Sequence, residues 1–324
     1  MDRRNAITLI RSGKFEAAEE VIRQIEVKAA DRLLLDAHFA TARRDWVTAA
    51  SLWRQILASR PTASRRAQVE EVLPFVDFHR KYADRVVYEC NFCNGLRWLT
   101  RSVRPHVMCE RPGCRSLERA RLMKLHLDKL NLSRTARILH FAPEPSLMHH
   151  LLRLVGRENY LCADIDDERY DFSINFKQIE LCAPAIEIEG SFDYIIHSHV
   201  LEHLPCNHQD VLRRLFRLLR PGGRQIFAIP ILPGRYAEDL TPRTAENRRS
   251  FKQRFGQVNH VRRFGADDLE QQFEPLFDFS PYRAYSVRHH GEETLIRHNI
   301  PDVFWDGLSM CTIFDVAREE ARGL

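Results

Sequence analysis

The chain has 324 residues, 44% of them hydrophobic, and a formal net charge of +5; that is enough apolar material for one catalytic-sized core with one or two small attachments. No apolar run approaches the length needed to span a bilayer, and Met1 to Gly13 (MDRRNAITLIRSG) lacks the core and cleavage site of a signal peptide. A helical membrane span is therefore excluded, and a cytoplasmic protein is expected.

The first segment reads as helical. Phe15 to Ile25 (FEAAEEVIRQI) aligns with Trp46 to Ile56 (WVTAASLWRQI) at an offset of 31 residues, with alanines matched at Ala18 and Ala49. Small residues at helical spacing let paired helices approach, and the period is close to, but shorter than, that of a tetratricopeptide repeat. Residues 1–83 are expected to form an all-α, helical-repeat arm, with Pro61-Thr62-Ala63-Ser64 as a break before a further helix. Two units are few for a solenoid, so the arm should lean on Ala67 to Tyr82 or on another chain. Partner binding or self-association, and a plain packing extension, both remain open.

Residues 84–117 hold Cys90, Cys93, Cys109 and Cys114, spaced CxxC, fifteen residues, CxxxxC, with turn-forming Asn94-Gly95 and Pro112-Gly113 beside the pairs. Two thiolate pairs on tight turns can complete a tetrahedral zinc site; with four protein ligands it is closed to water and substrate, hence structural rather than catalytic. The second pair is wider than usual, and the alternative is four reduced, unliganded thiols. Cys162, Cys182, Cys206 and Cys311 are scattered and read as small buried apolar residues without a role. From Arg97 to Lys124 eight basic side chains stand against only Glu110 and Glu118. The run suits nucleic-acid phosphates, but the preferred reading is a solvated helix face with internal ion pairs.

Farther on the pattern changes to α/β. Phe192 to Ile196 is a short β-branched run, Val211 to Leu219 has apolar residues at helical spacing, Pro221-Gly222-Gly223 stops it, and Ile226 to Ile229 restores a buried strand. Strand, crossover helix and strand imply a parallel sheet whose ligands sit at the carboxyl ends of the strands, which places Ser198 to Pro205 at such an end. Met310 to Val316 is expected to complete an antiparallel edge.

These stretches carry a resemblance. FDYIIHSHVLEHLP followed by LRRLFRLLRPGG resembles the fourth strand, fourth helix and fifth strand of class I S-adenosylmethionine-dependent methyltransferases. Arg137 to Leu147 (RILHFAPEPSL) resembles their first strand and cofactor loop, and Tyr160 to Asp164 (YLCAD) their second strand with its terminal acid. CERPGCRSLERARLMKLHL, together with FGQVNHVRRFG at Phe255 to Gly265, resembles a bacterial branch with a cysteine-rich module before the catalytic domain. In that branch the second cysteine pair is usually closer and aspartate stands where Asn259 does. The resemblance runs from about Cys90 to Phe273 and implies a Rossmann-like, seven-stranded methyltransferase sheet over residues 118–324, with a lid insertion at about 232–265.

It also implies a cofactor site for S-adenosylmethionine. Asp164 is the candidate for the ribose hydroxyls, with Asp166 close behind, and Asp171 for adenine. The glycine-free turn Ala142-Pro143-Glu144 would line the donor, Glu144 meeting its amino group, and Ser198 and His199 would stand against it. Glu202 and His203 are expected to fix the loop and the helix start. In the insertion, His260 is the candidate base, because imidazole titrates near neutrality, and Arg262 the candidate clamp for an acceptor carboxylate or phosphate. The leading expectation is methyl transfer to oxygen or nitrogen of a small polar or glycan-type acceptor. A nucleic-acid methyltransferase using the basic module, and a non-catalytic adaptor on the same fold, are the alternatives.

Overall fold

Helical hairpins begin the chain. The computed structural model describes residues 3–25, 28–168, 175–184, 186, 188, 191–242 and 244–324. The chain divides into two units, Met1–Glu118 with His290–Val303, and Arg119–His289 with Phe304–Leu324.

The first unit contains α1 (Arg3–Arg11), α2 (Phe15–Gln24), α3 (Ala29–Ala42), α4 (Trp46–Ala58) and α5 (Ala63–Tyr82). Asp45 caps α4 by accepting the Thr48 N–H at 3.1 Å, and Thr62 caps α5 by accepting that of Arg65 at 3.4 Å. Ala18 and Ala49, the matched alanines, are fully buried. Adjacent residues of α3 serve two apolar clusters: Leu35 packs with Ala18 and Val21, whereas Leu34 packs with Trp46, Trp53 and Val76. Trp53 keeps its buried indole satisfied by donating to the Thr41 hydroxyl at 2.9 Å. After α5 come β1 (Trp98–Arg101) and β2 (Arg104–Cys109), an antiparallel pair with Trp98 opposite Cys109.

The second unit is built on one sheet. Its elements are α6 (Glu118–Leu130), β3 (Ile138–Phe141), α7 (Pro145–Val155), β4 (Tyr160–Asp164), β5 (Phe176–Gln178), β6 (Phe192–Ser198), α8 (His208–Arg217), β7 (Leu219–Ala228), β8 (Ile231–Leu232), β9 (Ala237–Glu238), α9 (Arg248–Phe255), β10 (Arg262–Gly265), α10 (Leu269–Phe273), α11 (Ser280–Arg283) and β11 (Ile313–Ala317). The order is β11-β7-β6-β3-β4-β5, parallel except for β11, which pairs antiparallel with β7 as the edge expected from the tail. Leu139, Ile195 and Phe227 are fully buried, which accounts for their continuous apolar strands.

Three expectations need correction. Among the described residues the sheet has six strands, not seven. Between α10 and β11 the described chain makes short helices, where Pro275 and Pro281 oppose strand pairing and Phe277, Phe279 and Tyr282 bury themselves around Phe314. Pro221-Gly222-Gly223 does not separate helix from strand; β7 begins before it and bulges through it, with Gly222 at φ +78° and a Cβ on Gly223 only 2.9 Å from the Phe192 carbonyl. Cys182 and Cys206, read as unpaired, form a disulfide.

The insertion after β7 is folded. β8, β10 and β9 make a second, three-stranded sheet, and α9 crosses between β9 and β10. A Cβ on Gly265 would stand 2.1 Å from the Gly234 carbonyl, so the close approach of these segments requires glycine. No helix among the described residues is long and apolar enough to cross a membrane.

Candidate active site

Strand register assembles the sheet's carboxyl edge. Phe141 of β3 pairs with Ala163 of β4 on one side and His197 of β6 on the other. The next residue along each strand is Ala142, Asp164 and Ser198, so these three stand in a row where the strand order reverses, the place at which open α/β sheets bind ligands. Asp164 is 6% exposed, and its Oδ1 accepts the Asp166 N–H at 3.3 Å. Asp166 itself is exposed. Asp171 lies outside the described residues.

Ala142 takes the left-handed φ of +45° that glycine adopts without strain, and its N–H donates to the Ala163 carbonyl at 2.8 Å. Pro143 is buried. Glu144 precedes α7, and its carboxylate accepts the Arg119 Nε–H at 2.7 Å. His199 also has a left-handed φ, +56°; its N–H donates to the Ala228 carbonyl at 2.9 Å, and its Nε2–H to the Met310 carbonyl at 3.2 Å.

Beyond the edge stands a cluster that the sequence did not foretell. The Val261 N–H donates to the Glu202 carbonyl at 2.9 Å and the Arg262 guanidinium to the Leu201 carbonyl at 2.7 Å, pulling the insertion onto the loop after β6. His260 thereby reaches Glu202. Oε1 of Glu202 lies 3.5 Å from His199 Nδ1, 3.8 Å from His203 Nε2 and 4.0 Å from His260 Nε2. Glu202 has no exposed surface, and burial pushes its carboxyl up to about 8. Burial, with the Arg119 guanidinium second, holds the His199 ring well below its ordinary value.

Arg262 is not presented to an acceptor. It is fully buried, and its guanidinium also donates to Glu238 at 2.9 Å and to the Cys206 carbonyl at 2.7 Å. Those bonds make it a brace for the loop, because a clamp needs donors facing solvent. The cavity bounded by Arg137, Asn159, Leu161 and Phe192 lies at the amino ends of β3, β4 and β6, opposite this edge.

Residues 118–276 match the family described as a methyltransferase domain. The match covers just under half of the chain. No curated protein matches it in sequence. Solved structures similar to parts of the chain include coclaurine N-methyltransferase bound to N-methylheliamine and SAH, at 12% identity and TM-score 0.38 over 78% of this chain and 79% of that one. Others are a putative sarcosine dimethylglycine methyltransferase from Galdieria sulphuraria, at 17% and 0.34 over 55% and 66%, and PKMT2 from Rickettsia typhi with AdoHcy, at 19% and 0.26 over 32% and 22%. The chain thus spans only 22% of the length of the Rickettsia protein.

Within the matched segment, Arg119 was hidden in the basic run. It lies under the loop at Glu144 and acts electrostatically on both His199 and Glu202. Its neighbours in that run are mostly engaged too: Arg97 pairs with Glu110, Arg104 with Glu118 and Lys124 with Asp128, while Arg121 is buried. Arg97 precedes β1 and Arg104 lies on β2, so the run is not one solvated helix face, although its internal ion pairs leave little of a phosphate-binding stripe.

In the first unit the four cysteines converge. Cys90 and Cys114 Sγ are 3.6 Å apart, Cys93 and Cys109 Sγ 3.5 Å, and all four fall within 4.8 Å of one another. Zinc bonds of about 2.3 Å in a tetrahedron set sulfurs about 3.8 Å apart, so the donor set fits the metal. Asn94 at φ +56° turns the first knuckle, whose Asn94 N–H donates to the Cys90 carbonyl at 2.8 Å. A Cβ on Gly95 would stand 3.2 Å from Cys93 Sγ, so glycine there keeps the sulfurs clear.

Proposed function

We propose that the domain transfers a methyl group from S-adenosylmethionine to an oxygen or nitrogen of a small polar or glycan-type acceptor. The observation that carries this reading is the row Ser198, Ala142 and Asp164 at the reversal of strand order, with a buried carboxylate at its β4 end. Asp164 would accept both ribose hydroxyls, Ala142, Pro143 and Glu144 would border the donor, and Ser198 and His199 would close its other side. The bound donor supplies an activated methyl group. The chain's part is to align the acceptor, exclude water and accept a proton.

His260 is the proton acceptor in this reading. Its Nδ1–H donates to the Phe255 carbonyl at 3.0 Å, which leaves Nε2 as the basic nitrogen. Arg262 positions the loop. The four cysteines would hold zinc as a closed structural site, apart from the chemistry. Incubating the full chain with methyl-labelled donor and small polar, glycan and nucleic-acid acceptors tests the assignment. Label should pass to a small polar or glycan acceptor and fall at least about tenfold in Asp164→Asn; transfer to nucleic acid alone would refute the acceptor class.

A further inference from the structure

The methyltransferase reading leaves the convergence of three imidazoles on one buried carboxylate unexplained. Each ring has one nitrogen opposite a backbone carbonyl: His199 Nε2 faces Met310, His203 Nδ1 faces Asn259 at 3.1 Å, and His260 Nδ1 faces Phe255. A carbonyl can only accept, so each of these nitrogens carries the proton. The opposite nitrogens, His199 Nδ1, His203 Nε2 and His260 Nε2, then present lone pairs toward Glu202 Oε1.

Both Glu202 carboxylate oxygens are buried without a hydrogen-bond partner. Leaving the ionised carboxylate unsatisfied is costly, and neutral imidazole lone pairs cannot satisfy that form. The centre is electron-rich on every side. Its nearby cations are already matched, Arg119 by Glu144 and Arg262 by Glu238.

We propose that Glu202, His203 and His260, with His199 against the same carboxylate, form a second metal site that takes a first-row divalent cation. Carboxylate and imidazole together suit zinc, cobalt, iron or manganese, and backbone carbonyls that fix the far nitrogen are the outer shell that metal-bound histidines use. The ligand atoms of Glu202, His203 and His260 lie within 4.8 Å of one another. A cation about 2.1 Å from each would draw them in by a few tenths of an ångström. His203 is the exposed member, its side chain 34% accessible, so the ion enters from that side. The cation would stand beside His199, at the end of the row formed by Ala142, Asp164 and Ser198. There it would orient an acceptor oxygen or nitrogen and ease loss of its proton to solvent, His260 Nε2 serving as base only in the metal-free chain. The donor assignment does not depend on it.

Metal content of the full-length chain tests the site. After reconstitution with zinc and removal of excess ion, wild type should hold two equivalents, Cys93→Ser/Cys109→Ser one, and Glu202→Gln or His260→Ala one. Cobalt(II) added to the protein gives a second readout: in wild type one equivalent should bind without a thiolate charge-transfer band, and Glu202→Gln should weaken that binding about a hundredfold or more. A single equivalent held wholly by thiolates, or unchanged binding in Glu202→Gln, overturns the proposal. Neither measurement involves the methyl donor, so failure of the donor assignment would show separately.

Discussion

Asp164 and Glu202 are buried carboxylates of one sheet edge, and their surroundings separate them. Asp164 ends β4, where a backbone N–H supports it, and its position was legible because an acid closes an apolar strand in the sequence. Glu202 was read as a loop-fixing residue because its partner His260 lies 58 positions away and arrives only through hydrogen bonds made by Val261 and Arg262. Arg119 was obscured for a similar reason: a basic run looks solvated until the fold brings Glu144 to it. The same sheet contains two titrating groups outside the site. His140 accepts or donates to the Tyr160 hydroxyl at 2.8 Å, His197 stands 3.0 Å from Gln225 Nε2, and burial pushes both rings from 6.5 down to about 3. Unfolded, these histidines bind protons near pH 6.5; folded, only near 3. The unfolded chain therefore binds more protons between those values, and stability present above pH 6.5 is lost as pH falls. By pH 5 each should cost about 2 kcal/mol, seen as a falling urea midpoint that His197→Gln makes shallower.

At the scale of elements, periodicity identified the strands and helices that are continuously apolar. It missed features set by close approach. The bulge at Gly222 and Gly223, the helices between α10 and β11, and the small sheet of β8, β10 and β9 all depend on what lies opposite in space. The small sheet bears most on the proposed base, since β10 follows His260 by two residues. Gly265→Ala should force β10 from the Gly234 turn and shift His260. Methyl transfer should drop about tenfold or more, while affinity for S-adenosylhomocysteine, proposed to bind at Asp164, stays within about twofold; a matching loss of affinity would show that the small sheet supports the donor edge instead. The Cys182–Cys206 disulfide ties the loop ahead of β6 to the start of α8, a pairing that scattered spacing could not reveal.

Over the whole molecule, two units rest on different forces. The second has a large aromatic and aliphatic core. In the first, the apolar cluster around the cysteines is small, Cys90, Trp98, Cys109 and Cys114 with Tyr88, Phe92 and Cys93 partly buried against them, a slight core to hold its turns. Chelation should therefore raise hydrogen exchange across residues 88–116 and leave β3, β4 and β6 protected, as judged by exchange mass spectrometry; equal protection with and without chelator would remove the need for zinc. The most direct measurement of the central claim is calorimetric titration of S-adenosylhomocysteine into the full chain. One site per chain is predicted, weakened about tenfold to a hundredfold in Asp164→Asn by loss of charge-assisted hydrogen bonds. No binding to the wild-type chain, or equal affinity in the variant, would contradict it.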